Sequence, residues 1–112
     1  MASKEIRDSL FERQGGRSPL SGKPLNGGRL EIHHIRELYE GGSGEIGNLQ
    51  LVTMAEHLAE HYRRSKDSSR SAGDRLRELD TVLGRISELT GGERRELSEA
   101  IWEQVGVRVW FV

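Results

Sequence analysis

All four histidines of this chain fall between Glu31 and His61, as an adjacent pair, His33 and His34, and as a pair four residues apart, His57 and His61. On an α-helix, side chains at i and i+4 share a face and lie about 6 Å apart along the axis, so His57 and His61 can turn their nitrogens onto one ion. Successive residues of an extended segment point to opposite faces, so His33 and His34 must divide their tasks. One can join the ion while the other stays off it. Three imidazoles from two elements, with open positions left on the metal, describe a catalytic centre better than a closed structural one. The fourth imidazole can then move a proton, since that group ordinarily titrates near pH 6.5. Strand alternation does not say which member of the adjacent pair takes which part.

The surrounding pattern supplies elements to hold these groups. Arg29 to Ile35 alternates as a strand, Gly41 to Gly44 is a flexible loop, and Leu49, Leu51 and Thr53 continue as a second strand. Thr53-Met54-Ala55-Glu56 has the form of a capping box and opens the helix that carries His57 and His61, with Leu58 on another face. Residues 3–14 form a predicted helix capped by Ser3, with Ile6, Leu10 and Phe11 as its apolar stripe and Gly15-Gly16 as its stop. Residues 16–25 are turn-rich, and Ser65 to Gly73 is a polar connector.

Beyond the connector, Leu76, Leu79, Val82 or Leu83, Ile86 and Leu89 recur at helical spacing, giving a helix from about residue 74 to 89. Thr90-Gly91-Gly92-Glu93 then forms a second capping box ahead of Leu97, Ile101 and Val105, which completes a helical hairpin. The final Val107-Arg108-Val109-Trp110-Phe111-Val112 is β-prone and apolar, so it is expected to add to a sheet edge or to pair with a second copy in a homodimer.

At 112 residues the chain is the size of one domain. Its formal charge of −1 conceals an uneven spread: residues 31–60 hold six glutamates against Arg36 alone, while basic residues dominate 1–30 and 63–77. A near-neutral balance gives no bulk attraction to nucleic acid, so affinity away from a specific site should be weak. With no cysteine, disulfides and thiolate metal sites are excluded. The N-terminus has no signal-peptide core and no apolar run approaches the length of a span, so a cytoplasmic protein without a membrane partner is expected.

The string Glu31-Ile32-His33-His34-Ile35, followed by Gly41-Gly42, Asn48-Leu49 and the His57/His61 pair, resembles the HNH endonucleases, and among them the colicin-type sub-group whose motif opens with His-His. The resemblance covers about 31 residues and leaves the C-terminal third unmatched. It implies an α+β fold: a ββα-metal core over residues 29–64, an N-terminal helix, a C-terminal helical extension over 74–112 and a short terminal strand. It implies that His33, His57 and His61 bind one divalent cation and that His34 is the general base. Asn48 would brace the loop and orient that base, and Glu31 would hold the far ring nitrogen of a ligand.

The implied reaction is hydrolysis of DNA phosphodiester bonds, leaving 5′-phosphate and 3′-hydroxyl ends. Arg17, Arg36, Arg63, Arg64 and Lys66 border the motif and are the candidate phosphate contacts, and glycine at 41 and 42 would let a DNA backbone approach closely. Three neutral imidazoles favour zinc or nickel as the ion carried through purification, with magnesium or manganese supporting cleavage. Many relatives of this kind have a Cys-x-x-Cys knuckle where this chain has Ser18 and Ser21, so no second, structural metal is expected. Two other readings follow from the same residues: a non-catalytic, metal-stabilised nucleic-acid-binding module, and a toxin-type nuclease with an inhibitor partner.

Overall fold

The computed structural model describes residues 3–111. These residues form an α+β arrangement of four α-helices and one antiparallel two-stranded sheet: α1 (Ser3–Arg13), β1 (Leu30–His34), β2 (Leu49–Thr53), α2 (Met54–Ser65), α3 (Ala72–Ile86) and α4 (Gly91–Val105). Short 3-10 turns at Leu38–Glu40 and Ile46–Asn48 punctuate the connection from β1 to β2. The chain divides into two compact units, Met1–Met54 and Ala55–Val112.

In the first unit, α1 ends where Gly15 and Gly16 adopt φ of 64° and 71°, a left-handed backbone that favours glycine. The Gly16 N–H donates to the Phe11 carbonyl at 2.9 Å. Just before that stop, Gln14 binds the backbone of Leu51 in both directions, accepting from its N–H at 2.7 Å and donating to its carbonyl at 2.9 Å. Arg13 donates to the carbonyls of Ile46 and Leu49. The end of α1 therefore satisfies backbone groups of β2 that the two-stranded ladder leaves over.

Leu10, Leu25, Leu49 and Leu51 form the buried cluster of this unit, with Ile6, Leu30, Ile32 and Ile46 packed around it. Complete burial of a leucine such as Leu10 contributes about 1.5–3 kcal/mol. Phe11, expected in the same stripe, is exposed on one side and lies against Gly16 on the other.

The ladder pairs Leu30 with Thr53, Ile32 with Leu51, His33 with Gln50 and His34 with Leu49. That register buries His33 and leaves its neighbour His34 half-buried. The connection that follows is drawn tight at Gly42, whose N–H donates to the Glu37 carbonyl at 2.9 Å. A Cβ at position 42 would sit 1.9 Å from the Arg36 carbonyl oxygen, so the chain's own backbone requires glycine here.

The second unit takes α2 (Met54–Ser65) from Ala55 onward, and the helix is buried nearly all round, including Leu58, Ala59, Glu60 and His61. Ser71 caps α3 by accepting from the Asp74 N–H at 3.1 Å. Thr90 and Glu93 form the predicted capping box at the start of α4, each side chain accepting from the other's backbone N–H. Leu97 and Ile101 are fully buried on α4, and Gly106 ends the helix at φ 78°.

The inner face of α3 is rotated from the predicted stripe. Val82 is buried while Leu83 and Leu76 are more than half exposed, and Glu78, one turn before Val82, is buried with it.

The expected terminal strand does not form among the described residues: 107–111 carry no regular structure. The segment instead returns along α4, where Ser98 donates to the Val109 carbonyl at 2.7 Å and Arg108 lies over the Trp102 ring at 4.3 Å. An isolated β-prone segment gains nothing from its propensity until another strand satisfies its backbone, and here helix side chains satisfy part of it first. Val112 lies outside the described residues. No helix among them is long and apolar enough to cross a membrane.

Candidate metal centre

β1 presents His33, and α2 presents His57 and His61 one turn apart. The nitrogens that these three side chains can offer all lie within 4.8 Å of one another. His57 Nε2 and His61 Nε2 are 3.0 Å apart. Two nitrogens bound at about 2.0–2.1 Å to a tetrahedral ion stand roughly 3.3 Å apart, so the helical pair is already near bonding separation. A donor set of three imidazoles suits a borderline-soft divalent ion such as zinc.

The far nitrogens of two of these rings are held. His33 Nδ1 lies 3.0 Å from Gln50 Nε2, its direct partner across the ladder. His61 Nδ1 meets a carboxylate oxygen of Glu78, a residue of α3 that is 1% exposed. Both contacts engage Nδ1 and leave Nε2 as the nitrogen that could meet an ion; at His33 the Gln50 Nε2 donates, so Nδ1 accepts there. Glu37 places a carboxylate oxygen 4.0 Å from His33 Nε2, beyond hydrogen-bond length.

Sequence reasoning missed Gln50 and Glu78. Gln50 could have been found by pairing the two predicted strands in register. Glu78 sits four residues before Val82 on the α3 stripe, so projecting that stripe backwards would have flagged a charge at a core position. Glu31, expected to hold a ligand ring, is half-buried on β1 opposite Val52.

Asn48 braces the loop after His34 from inside. Its Oδ1 accepts from the Arg36 N–H at 2.9 Å, while its Nδ2 donates to the carbonyls of Arg36 and Ser43 at 2.9 and 2.6 Å. The Ile35 N–H adds a bond to the Asn48 carbonyl at 2.8 Å. These bonds fix the two residues that follow His34.

The five basic candidates differ in what they can offer a phosphate. Arg36 and Lys66 are exposed, Lys66 lying 5.3 Å from the Tyr62 ring centre. Arg17 is exposed but spends one guanidinium nitrogen on the Gly22 carbonyl. Arg63 is engaged twice by Glu60, and that hydrogen-bonded carboxylate raises its pKa above the ordinary guanidinium value. Arg64 is only 4% exposed, with Glu60 at 3.4 Å and Glu78 at 3.7 Å, so its charge is directed inward.

Ser18 and Ser21 serve a turn. Ser18 Oγ accepts from the Leu20 N–H and Ser21 Oγ from the Lys23 N–H, both at 3.2 Å.

No known protein family, curated protein or solved structure was found to match this chain.

Proposed function

We propose that the chain is a metal-dependent DNA endonuclease of the HNH type that hydrolyses phosphodiester bonds with low sequence specificity. The observation that carries this reading is the grouping of His33, His57 and His61 about one point, with His34 on the opposite face of the same strand and not sealed into a core. A divalent ion held by the three imidazoles would supply Lewis-acid polarisation of a phosphoryl oxygen and a counter-charge for the leaving oxygen. His34 takes the proton from the attacking water through a ring nitrogen. Asn48 keeps the backbone at Ile35 and Arg36 in place, so that the base cannot swing with its loop. Arg36 and Lys66, both exposed, are the candidates to meet the phosphate backbone.

The test is plasmid nicking by wild type and His34→Ala across zinc, nickel, manganese and magnesium, with bound metal measured alongside. Wild type should nick in at least one metal. His34→Ala should lose about 100-fold or more in rate while keeping its metal, the scale expected of a general base. Wild-type inactivity with every ion, together with DNA binding that survives in His34→Ala, would instead identify a metal-stabilised binding module.

A further inference from the structure

We infer that Glu78 of α3 is a positioning residue for the metal ligand His61, and that it couples ion binding on α2 to the docking of α3. This inference rests on the metal-centre reading above and extends it to a residue outside the histidine motif. The Glu78 carboxylate contacts His61 Nδ1 directly and is nearly inaccessible to solvent, as is the imidazole it touches.

A carboxylate without a proton only accepts hydrogen bonds, so this contact places the imidazole proton on Nδ1 and turns the Nε2 lone pair toward His57 Nε2, 3.0 Å away. A metal-bound imidazole needs that tautomer, and a carboxylate behind it also raises the basicity of the ligating nitrogen. The same carboxylate has Arg64 at 3.7 Å and Arg70 at 3.9 Å. Those two cations make its burial as an anion tolerable and fix its direction.

His61 and Arg64 belong to α2, Arg70 to the connector and Glu78 to α3, so one side chain joins three successive segments behind a single ligand. An ion drawing on His61 therefore also tightens the hold of α2 on α3. A merely structural Glu78 would give the same ion pairs with no consequence for metal.

Zinc affinity measured by competition with a chromophoric chelator distinguishes the two. Glu78→Gln should bind zinc about 10–100-fold more weakly than wild type while its metal-free form keeps the helical circular dichroism spectrum. Glu78→Asp retains the charge for Arg64 and Arg70 but withdraws it from Nδ1. It should show the same direction of change, and it serves if the glutamine variant does not fold. Amide hydrogen exchange across residues 72–86 should slow on adding zinc to wild type and respond less in either variant. Zinc affinity within about twofold of wild type in a folded variant overturns the inference and leaves the metal centre standing. A wild-type chain that takes up no zinc overturns the metal centre itself, and the inference with it.

Discussion

His33 and His61 are both buried histidines whose Nδ1 is met by a polar side chain, yet they are held in opposite ways. His33 stands on a strand and is met by the neutral amide of Gln50, its partner across the ladder. His61 stands on a helix and is met by the buried carboxylate of Glu78. An amide can present either its donor or its acceptor to an imidazole, whereas a carboxylate anion can present only an acceptor. As Gln50 is oriented, its Nε2 donates to His33 Nδ1, so binding an ion through Nε2 requires the amide to turn over. If an ion binds as proposed, His61 already presents the required tautomer, whereas His33 would reach it only once the Gln50 amide turns over.

Replacing the ligands themselves should have the largest effect. His33→Ala and His61→Ala should each weaken zinc binding by more than the about 10–100-fold that an outer partner is worth. They should differ in the metal-free protein: His61→Ala leaves a buried carboxylate short of a donor, costing about 1–3 kcal/mol in thermal or urea unfolding. Gln50 is only half-buried and can turn to water when its histidine is removed, so His33→Ala should cost less through that group. Equal losses of metal-free stability would erase the distinction between the two settings.

A smaller change is expected at the adjustable ligand. Gln50→Leu should lower zinc affinity by about tenfold at most, and Gln50→Glu, which gives His33 the kind of partner His61 already has, should restore or exceed the wild-type value. The smallest effect belongs far from the histidines in sequence: Thr90→Ala removes the α4 cap, costs about 1 kcal/mol in unfolding and leaves zinc affinity unchanged. A shift in zinc binding with Thr90→Ala would mean that the centre responds to general loosening and not to its own ring partners.

Local chemistry made much of this legible beforehand. Alternation placed β1 and β2 within a residue or so, the glycine pair marked the end of α1, and Thr90 with Glu93 announced α4 from a reciprocal pair of bonds that needs no other part of the chain. Helix periodicity put His57 and His61 on one face and strand alternation split His33 from His34, but the choice of His33 as the third member came only from the resemblance to the HNH motif.

What escaped depended on partners distant in sequence. Glu78 lies 17 residues from His61, and its helix face was assigned in part from Leu76 and Leu83, which prove to be exposed. The terminal segment had the composition of a strand and found α4 side chains instead. For Gly42 the fold adds a reason the sequence did not show: the Arg36 carbonyl occupies the space that a side chain there would need.

X-ray absorption at the zinc edge of the loaded wild-type protein addresses the metal centre most directly. Three imidazole nitrogens at about 2.0–2.1 Å, with the remaining position or positions filled by water or another exchangeable oxygen ligand, is the expected first shell. A shell built of oxygens with one imidazole or none would contradict it.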